Sequence, residues 1–129
     1  MQSDEIMQAE PNIRWSVVDP LGNEVILYEA RFTRHLIGDH EDKDALNRSL
    51  VEKQVQKSIA APRFIINDLN YEGRRKYLDL VDVPEGEGIK IKTLTIVVEE
   101  NHKVVTWILK RNINEFVPKE EIIYDSQMV

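Results

Sequence analysis

Ile13-Arg14-Trp15-Ser16-Val17 alternates apolar and polar side chains, the period of a half-buried strand, and Glu24 to Tyr28 is rich in β-branched and aromatic residues. Between them lies Asp19-Pro20-Leu21-Gly22-Asn23, where proline pre-sets its own φ and glycine accepts positive φ. The pattern predicts an N-terminal β-hairpin. From Glu29 the period lengthens: Ala30, Phe32, Leu36 and Ile37 fit a short amphipathic helix that Gly38 can terminate. A longer helix is expected from about Asp44 to Ala60, with Leu46, Leu50, Val51, Val55 and Ile59 on one side, Asp42 or Asp44 as its cap, and Pro62 opposing continuation.

The second half returns to strand patterning. Arg63 to Asp68 and Lys76 to Val83 read as strands joined by a turn at Asn70 to Gly73, and Pro84-Glu85-Gly86-Glu87-Gly88 reads as a flexible loop. In Ile89 to Glu99 the apolar positions shift from Ile89 and Ile91 to Leu94, Ile96 and Val98, a change of parity that predicts a bulge near Lys92 or Thr93. After a turn at Glu100 to Lys103, Val104 to Arg111 forms a strand with Val105, Trp107 and Leu109 directed inward and Val104, Thr106, Ile108 and Lys110 on the other face. Ile122, Ile123 and Tyr124 either add an edge strand or stay in a loose tail. The fold class expected is α+β, an N-terminal β-hairpin and two helices packed on a curved antiparallel β-sheet. Residues 1–12 are an extension, 13–117 a single domain and 118–129 a C-terminal tail.

Composition narrows the function classes. A chain of 129 residues can bury a core without disulfides or a structural metal, and with no cysteine it has no thiolate zinc site, thiol redox chemistry or cysteine nucleophile. No stretch approaches the roughly 18 apolar residues of a membrane span, and Met1 to Pro11 lacks the apolar run of a leader, so a cytoplasmic protein without membrane association is expected. The net charge of −6, from 17 basic and 23 acidic residues, is opposite to that of a nonspecific nucleic-acid binder. Yet Arg74, Arg75 and Lys76, Lys90 and Lys92, and Lys110 and Arg111 form local basic groups. There is no Walker-type loop, dinucleotide fingerprint, nucleophile elbow or paired-histidine zinc helix.

The candidate chemistry centres on His35-Leu36-Ile37-Gly38-Asp39-His40, which holds two of the three histidines, the side chains best suited to exchange protons near neutral pH. If the short helix ends at Gly38, both rings can face one pocket; the alternative is that they interact with a helix C-terminus. His35 and Asp39 with His40 or His102 have metal-ligand types, but no second motif accompanies them, and neither a metal nor another cofactor is expected. His102 reads as solvated surface, Trp15 and Trp107 as core. Thr106, Lys110 and Arg111 on the last strand, and Arg74 after a turn, have donors and positive charge suited to a phosphate.

In order, the chain presents a strand ending at Asp19 to Asn23, a second strand, a helix bearing the pair His35 and His40, a helix ending near Pro62, a strand with Asp68, and the strand Val104 to Arg111. Over about Trp15 to Arg111 this resembles the phage-encoded branch of the barnase, EndoU, colicin and RelE-like nuclease superfamily. Glu41 stands after the second histidine, where such sequences commonly carry proline. The resemblance implies helices against a curved sheet and metal-independent RNA cleavage, and the function expected from it is a metal-independent endoribonuclease or toxin-like nuclease that cleaves RNA by 2′-hydroxyl transesterification. His35 would remove the 2′-hydroxyl proton, and His40 would protonate the leaving oxygen or orient His35. Thr106 would hydrogen-bond a phosphate oxygen, with Lys110, Arg111 and Arg74 offsetting its charge. A protein inhibitor is a further implied partner. The other reading is a noncatalytic accessory module of a phage or mobile element that holds a protein partner.

Overall fold

The computed structural model describes residues 12–37, 48–111 and 117–128, with the backbone alone for His35 and Ile37. The expected N-terminal hairpin forms from β1 (Ile13–Val18) and β2 (Glu24–Tyr28), antiparallel with Val17 opposite Val25. Gly22 adopts φ +87° in its turn, a conformation that side chains with a Cβ resist. A π-helical segment, Arg31–Ile37, follows, and its Phe32 and Leu36 are buried. Residues 48–50 are helical and lead into α1 (Glu52–Ala60). Val51, Val55 and Ile59 enter the core, but Leu50 is exposed. Leu50 lies about 100° around the helix from Val51, and the inner face is completed instead by Ser58, which donates to Asp79 at 2.8 Å. α1 ends at Ala61, whose N–H reaches the Lys57 carbonyl, before Pro62. Gly38 and the expected caps Asp42 and Asp44 lie outside the described residues, as does Leu46.

The main sheet contains β3 (Phe64–Asn67), β4 (Arg75–Glu85), β5 (Gly88–Val98), β6 (Val104–Lys110) and β7 (Ile122–Asp125). It is antiparallel in the order β6-β5-β4-β3-β7. The chain is therefore α+β, with a hairpin and a main helix on a five-stranded sheet. Its core joins Val25 and Leu27 of the hairpin, Phe32 and Leu36, the inner face of α1, and Tyr77, Leu94, Ile96 and Trp107 of the sheet. Trp107 is fully buried, and Trp15 stacks on it with ring centroids 6.5 Å apart. Ile122–Asp125 pairs with β3, so the C-terminal apolar residues add an edge strand.

Three details correct the sequence expectations. The stretch 84–88 is a tight hairpin turn: Glu85 pairs with Gly88, and Gly86 takes φ +63° at the first central position, as a two-residue turn with glycine there requires. β5 runs against β4 without interruption, so the parity change is not a bulge near Thr93; Ile89 and Ile91 are simply exposed on the far end of a long ribbon, while Leu94 and Ile96 face the core. The irregularity lies between β5 and β6, where the register shifts at Val97/Val98 and turns Val104 inward.

The hairpin is joined to the sheet through a carboxyl group. Asp19 is 4% exposed and accepts hydrogen bonds from the backbone N–H groups of Leu21 and Asn23, both at 2.9 Å, and from the Tyr77 hydroxyl. Burial, and then the bond to Asp19, hold the Tyr77 phenol above its ordinary value, so it stays a donor. A second connection runs over the surface: Arg14 of β1 donates to Glu52 of α1 and to Glu29, and its guanidinium lies 3.7 Å from the Phe32 ring centroid. The Trp15 indole also donates to Glu52, at 2.8 Å.

Tyr77→Phe removes the donor to a buried carboxyl and should lower unfolding free energy by roughly 1.5–3 kcal/mol, the usual range for hydrogen bonds to charged groups, with little change in the urea m-value. A loss below a few tenths would mean that Asp19 finds another partner. The Glu52 connection should be sensitive to acid. Burial pushes the Glu52 carboxyl up, but the bonds from Arg14 and Trp15 outweigh it and hold the group below its ordinary 4.5. The unfolded chain then binds more protons, so this stabilisation is present above that ordinary value and is lost as pH falls through the folded-state value. Urea midpoints measured from pH 6 to 3 should fall less steeply for Glu52→Gln than for wild type; parallel curves would exclude Glu52 as a contributor.

Candidate nucleic-acid interface

β6 is an edge strand of the main sheet, and the segment Arg31–Ile37, together with Arg48, lies against it. The approach begins at the start of β6, where Ile26 donates to the His102 carbonyl at 2.9 Å and pairs with Lys103 as an isolated parallel bridge. The π-helical segment packs next to it, with the Phe32 and Trp107 ring centroids 6.2 Å apart. Arg48 closes the row: its carbonyl accepts from the Trp107 indole at 3.2 Å and its guanidinium donates to the Thr106 hydroxyl at 3.0 Å. Single-turn π segments often mark functional sites, because widening the helix redirects its side chains.

At the β2 end of this edge, Tyr28, Ala30, Arg31, Arg34, Glu99, Lys103 and Val104 line a cleft of about 310 Å³. The Lys103 ammonium lies 5.2 Å from the Tyr28 ring centroid. Among the described residues no carboxylate is within ion-pairing distance of Arg31, Arg34 or Lys103. Three cations and one carboxylate, Glu99, thus border a concave surface, a net positive lining suited to phosphate groups.

The sequence-derived candidates fall into separate neighbourhoods. His35 follows Arg34 on the segment that lines the cleft. His40 lies outside the described residues. Thr106 stands midway along β6, bonded to Arg48, and Lys110 ends the strand opposite Thr93. Arg111 lies 3.6 Å from Glu85, at the β4–β5 turn. The Lys92 ammonium 3.0 Å away holds the Glu85 carboxyl below its usual range, with Arg111 and Lys90 adding to the effect.

Arg74 is not with them. It precedes the pair Arg75 and Val98, five positions along β5 from Thr93, or about 17 Å of strand, and its guanidinium lies 4.5 Å from the Tyr71 ring centroid. Around it Glu72, Glu99, Glu100 and Asn101 line an acidic depression that shares Glu99 with the cationic cleft.

His102 also departs from its expected solvated position. Its backbone adopts φ +65° and its Nδ1 is buried with no hydrogen-bond partner among the described residues. Its carbonyl bonds β2, and its N–H bonds the Glu99 carbonyl at 2.8 Å, so the residue shapes the turn that carries Lys103.

Sequence reasoning missed Arg31, Arg34, Arg48 and Lys103. The pair Arg31 and Arg34, three apart and directly before His35, was the available signal. Lys103 becomes a neighbour of that pair only through tertiary packing, which also brings Arg48 to Thr106 on β6. No family model, curated protein or solved structure matches the chain.

Removing cations from this edge should act through counterion release. For a fluorescent single-stranded oligonucleotide, the triple variant Arg31→Gln, Arg34→Gln, Lys103→Gln should flatten the slope of log K against log salt by about two, at roughly 0.7 for each phosphate that is no longer neutralised. An unaltered slope would place the polyanion elsewhere.

Proposed function

We propose that the chain is a metal-independent endoribonuclease, toxin-like in character, that cleaves RNA by transesterification. The observation supporting this reading is that separate segments bring cationic side chains to β6: Arg31, Arg34 and Lys103 around the cleft beside the segment that carries His35, Arg48 at Thr106, and Lys110 with Arg111 at the far end of the strand. In a chain of net charge −6 such a row is unlike the overall balance.

In this reading RNA follows the β6 edge, and the scissile phosphate lies beside the π-helical segment. His35 takes the proton from the ribose 2′-hydroxyl, the 2′-oxygen attacks the adjacent phosphorus, and the bond from phosphorus to the 5′-oxygen breaks. His40 supplies the proton to that leaving oxygen. A 2′,3′-cyclic phosphate and a 5′-hydroxyl result. Arg34 and Lys103 offset the charge that builds on the phosphoryl oxygens, while Lys110 and Arg111, at the other end of β6, hold a phosphate several nucleotides along the strand. Thr106 supports Arg48. Arg74, beside Glu72 and Glu100, takes no part.

A noncatalytic module would use the same edge to bind RNA or an acidic protein, and the Arg48–Thr106 bond favours it to the extent that Thr106 is already engaged. Cleavage of mixed RNA in EDTA separates the two. The wild-type protein should leave 2′,3′-cyclic phosphates, and His35→Ala should reduce the rate by about 10²-fold or more. Binding of RNA by folded wild type without cleavage would favour the noncatalytic module.

A further inference from the structure

The β4–β5 ribbon outruns its neighbours on both sides. β3 begins at Phe64, opposite Leu78, and β6 ends at Lys110, opposite Thr93, so Gly88 to Lys92 continue for about 17 Å past the last β6 partner of β5. Antiparallel pairs alternate between those that exchange ladder bonds and those whose N–H and C=O groups point away from the ribbon. Glu85 and Gly88 close the two-residue turn, so Val83 with Lys90 and Val81 with Lys92 are of the first kind. Pro84 with Ile89 and Asp82 with Ile91 are of the second. The two edges are finished differently. On the β4 side Pro84 has no N–H, the Asp82 carbonyl accepts from the Gln54 amide at 3.0 Å, and the Leu80 N–H donates to the Asp79 carboxylate at 2.8 Å. On the β5 side the outward groups of Ile89 and Ile91 have no bond among the described residues, and these residues are 71% and 55% exposed.

From this open edge we propose that the end of β5 is a docking strand, which takes an extended segment of a partner protein whose residues alternate between apolar and acidic. Ile89 and Ile91 lie on one face of the ribbon, where apolar side chains of an added strand pack beside them. Lys90 and Lys92 lie on the other face. There Lys92 is 3.0 Å from Glu85, and Arg111, just past the end of β6, is 3.6 Å from the same carboxylate. Lys90 makes no ion pair among the described residues. Three cations thus share one carboxylate, and acidic side chains on an added strand meet the excess. Glu87 sits in the turn, and Asp82 lies on the isoleucine face, one strand further from the open edge. A second copy of this chain is a poor occupant, because the two-fold register that pairs Ile89 with Ile91 sets Lys90 opposite its own counterpart. The inference goes beyond the RNA reading and does not rest on it.

The probe is a capped peptide of sequence Thr-Val-Glu-Val-Glu-Val-Thr, with a control that carries Lys in place of both Glu residues. Each is titrated into the isotope-labelled full chain, with amide chemical shifts and hydrogen exchange as readouts. The acidic peptide should bind roughly tenfold more tightly than the control, equivalent to one decade in Kd. The Ile89 and Ile91 amides should exchange freely in the unbound protein and become protected in the complex. Ile91→Pro removes an outward N–H and no ladder bond of the ribbon, and should abolish binding while amide shifts elsewhere stay unchanged. Lys90→Glu changes an exposed side chain, keeps the edge open if proline disturbs the ribbon, and should bring the two peptides to similar affinity. No binding of the acidic peptide, equal affinity of the wild type for both, or binding that leaves Ile89 and Ile91 unprotected overturns the proposal. Protection of those amides in the free protein, whether through a dimer or its own chain, overturns it as well.

Discussion

The buried carboxyl of Asp19 is the constraint on which the arrangement of the two sheets depends. It fixes its own turn through the N–H groups of Leu21 and Asn23, and through the Tyr77 hydroxyl it ties that turn to the middle of the main sheet. A buried polar group of this kind is tolerated only when its hydrogen bonds are made, so the hairpin has one favourable way to dock. Everything that follows β2 inherits that placement. Tyr28 ends the strand, and Arg31 and Arg34 lie within two turns of it, so the position of the cationic cleft is set by a carboxyl group in the preceding turn.

Local patterning revealed much of the fold. Proline and glycine in 19–23 and the alternation on either side specified β1 and β2, and Pro62 ended α1 where expected. The departures share a cause. Ile89 and Ile91 have the same side chains as core isoleucines, and only the length of the β4–β5 ribbon beyond its packing partners leaves them exposed. Leu50 faces solvent because one step around a helix separates it from the core. Val104 turns inward through a register shift between two strands, which neither strand's own sequence encodes. The candidate site was legible only in part. Its histidines are close in sequence, but Arg31, Arg48 and Lys103 are distant from one another and are assembled by packing against Trp107 and β6.

Net charge hides how the charges are distributed. The acids around Glu72, Glu99 and Glu100 are concentrated at one end of the sheet, while Lys103, Arg48 and Lys110 follow β6. Charge separated on this scale survives at moderate salt over a Debye length of about 8–10 Å, so one protein can present both a cationic edge and an acidic end. The same cations discourage edge-to-edge pairing of β6 with another sheet, a common role for charged residues on edge strands.

The position of β7 governs how the sheet is assembled. β1–β2 and β4–β5 close across short turns, but β3 acquires its outer neighbour only when Tyr124 reaches Ile65, 59 positions earlier in the chain. Closing so long a loop is entropically more demanding than forming either hairpin and belongs to the late, nonlocal part of folding. Until it closes, β3 presents a row of open backbone donors and acceptors. The short C-terminal strand thus closes an edge of β3 that would otherwise be open to pairing between chains.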